Sequence, residues 1–147
     1  MPLLPWLAST ISRRGGPNYS ASHVAKALDL IAAAGLPRRL MVDASHGNSG
    51  KDHRRQPLVA ASIAEQLAAG ERGLTGVMLE SFLVEGKQEP GPPARLTYGQ
   101  SVTDACMDFA TTAGVLDTLA AAVRSRRQFL CRTGRARAPV TPPWAAG

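Results

Sequence analysis

An α/β fold built on a parallel sheet is what this sequence predicts, from three observations. Two short stretches, Leu40 to Ala44 and Leu74 to Glu80, are apolar almost throughout, the pattern of strands covered on both faces. They alternate with segments whose apolar residues recur at helical spacing. Each apolar stretch also runs into a polar tip, and in parallel sheets chemistry collects at the carboxyl ends of the strands.

The first helix is expected over Ser20 to Ala34. Ser20 or Ser22 caps it, Val24, Ala27, Leu28 and Ile31 form its apolar stripe, and Gly35 with Pro37 stops it. The strand Leu40 to Ala44 follows. Pro57 suits the first turn of a second helix, with Leu58, Val59, Ile63 and Leu67 facing inward and Gly70 ending it. After the strand Leu74 to Glu80, Gly86, Pro90, Gly91, Pro92 and Pro93 mark a long loop without regular structure in its middle. The last helix is expected from about Thr112 to Arg126, with Leu116, Leu119, Ala120 and Val123 on one face. Beyond Arg127 the Pro- and Arg-rich chain is expected to be disordered. Two strands are too few for a sheet of this kind, so part of the expected sheet is missing.

The 147 residues suit at most one domain. No apolar run reaches the ~18–20 residues of a membrane span. Met1 to Ile11 lacks the basic start and long apolar core of a signal peptide, so a cytoplasmic location is expected. Cys106 and Cys131 are too few for a disulfide framework or a cysteine-based zinc site; both are expected as reduced thiols, Cys106 as a small buried hydrophobe. The net charge of +6 comes from six arginines between Arg124 and Arg137, since the remaining eleven basic residues balance eleven acids. The basicity is thus expected in the tail, with no specific nucleic-acid site in the body, although such a tail can bind polyanions without specificity.

Three strand or loop tips carry candidate chemistry. His46 lies in Asp43-Ala-Ser-His46-Gly-Asn-Ser-Gly-Lys51, followed by a flexible turn, and an imidazole there suits a divalent metal or acid–base work. Glu80 ends the second strand, where a carboxylate is costly to bury unless it is paired or ligates a cation. Asp104 precedes the last helix. Each also has a plain structural role, as a turn histidine, a solvated strand end and a capping acid respectively. Together they are a hard, oxygen-rich set suited to Mn, Fe, Zn or Co with positions left open. Lys51, Arg54 and Arg55 follow His46, and Arg13–Arg14 precede Gly15-Gly16; these charges fit phosphate or carboxylate recognition, or a solvated face.

In order and spacing, three segments resemble the C-terminal part of class I 3-deoxy-D-arabino-heptulosonate 7-phosphate (DAHP) synthases. They are Asp43 to Lys51, Gly76-Val-Met-Leu-Glu80-Ser81 with Leu83-Val-Glu-Gly86, and Leu96-Thr-Tyr-Gly-Gln-Ser-Val-Thr-Asp104-Ala-Cys106. Arg14-Gly-Gly-Pro-Asn-Tyr19 resembles that family's preceding strand tip. The resemblance covers residues 14–127, leaving 1–13 unassigned and 128–147 as the disordered tail.

The resemblance implies the last strand–helix units of a (β/α)8 TIM barrel, an incomplete one here, because a full barrel takes about 250 residues. It implies a transferase that condenses phosphoenolpyruvate with erythrose 4-phosphate, the first step of the shikimate pathway of chorismate and aromatic amino acid biosynthesis. It also implies a divalent metal ion on His46, Glu80 and Asp104, with His46 and Lys51 catalytic and Arg14 binding phosphoenolpyruvate. A complete member is expected to be a homo-oligomer without membrane or specific nucleic-acid partners. The family's cysteine ligand and its Lys-Pro-Arg-Thr/Ser motif lie in its N-terminal half and are absent. The chain is therefore expected to be a C-terminal fragment. The alternative is a non-catalytic fragment that associates with a separate N-terminal half or a full-length homologue.

Overall fold

A computed structural model describes residues 8–9 and 16–134. Arg14 and residues 135–147 lie outside the described residues. The chain runs β1 (Ala8–Ser9), α1 (Ala21–Ala33), β2 (Leu40–Asp43), α2 (His46–Ser49), a 3-10 turn (His53–Arg55), α3 (Gln56–Ala68), β3 (Leu74–Met78), β4 (Val84–Lys87), a second 3-10 turn (Pro93–Arg95), β5 (Gln100–Ser101) and α4 (Phe109–Arg132).

The sheet is parallel, in the order β1-β2-β3, with Val42 opposite Val77 and Asp43 opposite Met78. The expected parallel α/β arrangement is therefore present, with a third strand that sequence reading missed. Ala8 and Ser9 pair with Met41 and Val42, but two residues are too short to carry a periodicity.

Local sequence explains the ends of α1. Ser20 caps it by accepting from the His23 N–H, and Gly35, at φ 70°, lets the Leu36 N–H reach back to the Ile31 carbonyl at 3.1 Å. Val24, Leu28 and Ile31 then join Leu40, Val42, Val59, Ile63, Leu67 and Leu74 in the main core. This core lies on the Val42/Val77 side of the sheet. On the other side Met41, Gly76 and Met78 are half-buried, as Val77 is on the core side, and Asp43 is buried.

Several helix details differ from expectation. Leu58 is 68% exposed, because it lies 100° around the helix from Val59, and the buried stripe runs through Val59, Ala60, Ile63, Ala64 and Leu67 instead. In α4 the buried residues are Val115 and Ala122, with Leu119 and Val123 half-buried and Leu116 and Ala120 exposed. This helix also runs on to Arg132, past the point where disorder was expected. Arg126 belongs to the fold rather than to a free basic tail, since its guanidinium donates to the carbonyls of Glu71 (3.0 Å) and Leu74 (3.1 Å).

The Pro/Gly-rich loop is more ordered than its composition indicates. β4 and β5 pair in parallel, Gly86 and Cys106 exchange backbone hydrogen bonds, and Met107 donates to the Glu80 carbonyl at 3.0 Å. These bonds fold the long connection back over the carboxyl end of β3. Among the described residues no helix is long and apolar enough to cross a membrane.

Candidate metal centre

β2 ends at Asp43, and its backbone turns at once into α2. The flexible turn expected after His46 is instead one helical turn, His46–Ser49, with His46 held at φ 43° and Lys51 at φ 63°. Both are non-glycine residues in the left-handed region, where L-residues are uncommon and histidine is among the better tolerated. The turn is fixed by buried polar groups. Asn48 donates to the Asp43 carbonyl at 2.7 Å and accepts from the Asn18 N–H at 2.7 Å, tying the strand end to the segment before α1.

Asp43 organises the tip. One carboxylate oxygen accepts from the Ser45 N–H (2.7 Å) and the Ser45 hydroxyl (2.5 Å), and the other lies 2.8 Å from His46 Nδ1. The Nδ1 side of the ring is thereby occupied. Nε2 faces Glu80 Oε1 at 3.1 Å and Asp104 Oδ2 at 3.9 Å. One donor atom from each of His46, Glu80 and Asp104 lies within 4.8 Å of the other two. The three tips singled out in the sequence converge.

The electrostatics of this group favour a cation. Burial raises the Glu80 pKa, and the Asp104 and Asp43 charges raise it further against the lowering effect of His46. The His46 pKa is raised first by its hydrogen bond to Asp43, against desolvation, and then by the charges of Glu80, Asp43 and Asp104. Neighbouring carboxylates add to both shifts, behind burial at Glu80 and the Asp43 hydrogen bond at His46. Two carboxylates and an imidazole nitrogen directed at each other form a donor set that fits a divalent transition metal.

The other candidates are not drawn in. Lys51 is exposed, and its side chain makes no ion pair with Glu80 or Asp104. Arg54 lies 3.4 Å from Glu85, with His53 Nε2 at 3.6 Å from the same carboxylate. Cys106 is half-buried rather than a buried core residue, its thiol donating to the Asp104 carbonyl at 3.5 Å. Burial, the largest influence, raises its pKa.

Two residues of the site escaped sequence reading. Asp43 stands in the sequence only as the head of a polar run, although its spacing of three from His46 is a usable signal for a carboxylate–histidine pair. Gln56 was not singled out. It is fully buried and bonds the backbone of Glu80 from both sides.

The chain matches the model of the DAHP synthetase I family over residues 6–117. It belongs to that family. Among curated relatives, a tyrosine-inhibited phospho-2-dehydro-3-deoxyheptonate aldolase of Schizosaccharomyces pombe is 51% identical over 117 residues, covering 77% of this chain and 32% of the relative. The Phe-sensitive enzyme of that name from Escherichia coli K12 is 49% identical over 118 residues, covering 78% and 33%. The solved phospho-2-dehydro-3-deoxyheptonate aldolase of Francisella tularensis SCHU S4 superposes with a TM-score of 0.73 at 46% identity, over 76% of this chain and 32% of that one. The chain thus spans about a third of the length of these DAHP synthetase relatives. His46, Glu80 and Asp104 all fall within the matched residues.

Proposed function

We propose that this chain carries the metal-binding strand ends of a 3-deoxy-7-phosphoheptulonate synthase, which condenses phosphoenolpyruvate with erythrose 4-phosphate. The observation that carries the proposal is the convergence of His46 Nε2, Glu80 and Asp104 past the carboxyl ends of parallel strands. Family membership gives that convergence a chemical purpose.

In this reading His46, Glu80 and Asp104 hold the divalent ion, Mn, Fe, Zn or Co. Once bound, such an ion supplies Lewis-acid polarisation of an aldehyde oxygen or activation of a water. Asp43 accepts from Nδ1–H of His46 and so keeps the Nε2 lone pair free for the metal. Ser45 holds Asp43 in turn, which keeps the ring orientation fixed while substrates enter and leave. Lys51 and Arg14 supply positive charge for the phosphate and carboxylate groups of the substrates. The remaining strands of a (β/α)8 barrel, and a cysteine ligand, belong to the part of the relatives that this chain does not span. The same reading takes residues 14–127 as barrel and places the protein in the cytoplasm, as a homo-oligomer when complete.

A second reading has its own observation. β3 pairs only with β2 among the described residues, and beside it Leu74, Val77, Leu79, Leu116, Leu119 and Val123 line a groove of about 260 Å³. An open strand edge beside an apolar groove suits the addition of another strand. The chain would then associate, without catalysis of its own, with a separate N-terminal half or a full-length homologue.

The test is consumption of phosphoenolpyruvate with erythrose 4-phosphate, measured for the purified chain alone and after mixing with the N-terminal portion of the E. coli relative. No turnover alone and metal-dependent turnover in the mixture is the expected result. Turnover by the chain alone would contradict its description as a fragment, and co-purification without turnover would favour the second reading.

A further inference from the structure

The hydrogen-bond ladder between β2 and β3 ends at the pair Asp43 and Met78, with the Ala44 N–H reaching the Met78 carbonyl at 2.9 Å. Glu80 lies two residues beyond, past the β2–β3 ladder, beside the single bridge between Ser81 and Met107. A side chain also holds its backbone there. The Glu80 N–H donates to Gln56 Oε1 at 2.8 Å, and Gln56 Nε2 donates to the Glu80 carbonyl at 3.2 Å. The Met107 N–H bonds the same carbonyl at 3.0 Å.

Gln56 is wholly buried at the first position of α3, in a place where packing alone would be served by leucine or methionine. Burying a primary amide is unfavourable unless its polar atoms find partners. Both atoms of Gln56 find them on one residue, 24 positions away, whose carboxylate belongs to the His46 group. The amide thus gives the Glu80 N–H the acceptor that a paired strand would give it, and shares the Glu80 carbonyl with Met107.

We propose that Gln56 is a positioning residue for the metal centre, its amide clamping the backbone of Glu80 so that the carboxylate stays directed at His46 Nε2. This rests on His46, Glu80 and Asp104 acting as metal ligands. The clamp matters because a ligand set tolerates only about 0.5 Å of displacement before its geometry degrades. Residues that orient ligands typically change metal affinity by about 10–100-fold when removed.

The experiment titrates the full chain with Co²⁺, followed by its visible absorption, for the unsubstituted protein, Gln56→Met, Gln56→Asn and Ile63→Val, with thermal stability measured in parallel. Gln56→Met keeps the volume but removes both bonds. Gln56→Asn keeps a buried amide that is one methylene too short to reach, and it carries the test if the methionine variant does not fold. Ile63→Val perturbs the same helix without touching Glu80. Both Gln56 variants are expected to bind Co²⁺ about tenfold or more weakly with altered absorption bands, while Ile63→Val loses stability with affinity and spectrum unchanged. Unchanged Co²⁺ affinity and spectrum in a folded Gln56 variant would overturn the role of Gln56 alone. No Co²⁺ binding by the unsubstituted chain would overturn the metal reading and this proposal with it.

Discussion

Asp43 and His46 form a carboxylate–imidazole pair at the end of β2, with Asp43 Oδ2 2.8 Å from His46 Nδ1. They lie three positions apart in sequence, and His46 has left-handed backbone geometry. The pair fixes which way the ring faces. With Asp43 on the Nδ1 side, Nε2 is the ring nitrogen directed at Glu80 and Asp104.

Asp43→Asn tests that pair with little change in shape. The asparagine oxygen can still accept from Ser45, but its amide would donate to Nδ1 and move the ring proton to Nε2. Divalent metal affinity is expected to fall about 10–100-fold with thermal stability nearly preserved. Calorimetric titration with Mn²⁺ measures this, and unchanged affinity would show that Asp43 does not set the tautomer.

Gly73 lies against Leu28, and a Cβ at residue 73 would collide with both δ-carbons of that fully buried side chain. Gly73→Ala is expected to destabilise the fold by about 1–3 kcal/mol through overpacking. Leu28→Ala is expected to cost about 2–5 kcal/mol through the cavity it leaves. In urea denaturation the double variant should lose less than the two single losses combined, since each change accommodates the other. Simple additivity would contradict the packing described.

Asp108 caps α4 by accepting from the Thr111 N–H at 2.7 Å, and its hydrogen bonds to Thr111 lower its pKa. The unfolded chain therefore binds this proton more readily than the folded one. The contribution is complete above the unfolded pKa and is lost as pH falls through the lower folded value. Asp108→Asn caps without titrating, so its stability should decline less steeply with acid than that of the unsubstituted chain. Identical acid limbs in thermal unfolding would contradict this.

Cys106 and Cys131 should separate by reactivity. Burial raises the Cys106 pKa, with Ser101 opposing and the charges of Glu80 and Asp104 adding, so it stays a thiol at neutral pH. Cys131 is exposed on α4. Iodoacetamide labelling followed by peptide mass analysis should modify Cys131 first, and faster labelling of Cys106 would contradict its half-buried placement.

Much of the site was legible because its side chains sit where apolar strands stop. Leu40–Val42 and Leu74–Val77 announce buried strands, and His46 and Glu80 follow them within a few residues. Asp104 is legible as a tip before the last helix but its convergence on His46 is not, since what carries it there is the β4–β5 pairing inside a segment whose prolines suggest a loop without regular structure. Those strands are held by single backbone exchanges, such as Gly86 with Cys106, which leave no periodicity to read. Gln56 was invisible for a related reason: a lone glutamine before Pro57 reads as the start of a helix, and its partner lies 24 residues away. Leu58 and Leu116 misled because adjacent apolar residues on a helix cannot all face one core, and smaller neighbours (Ala60, Ala64, Ala122) took the inward positions.

The central claim is that His46, Glu80 and Asp104 together hold a divalent metal ion. Equilibrium binding of Mn²⁺ to the full chain, with free Mn²⁺ read by electron paramagnetic resonance, tests it most directly. The unsubstituted chain should show a saturable site, with ion at about one hundred times its dissociation constant stabilising the fold by about 2.7 kcal/mol. His46→Ala and Glu80→Ala should each abolish both the binding and the stabilisation while remaining folded. Undiminished Mn²⁺ binding by both variants would contradict the claim.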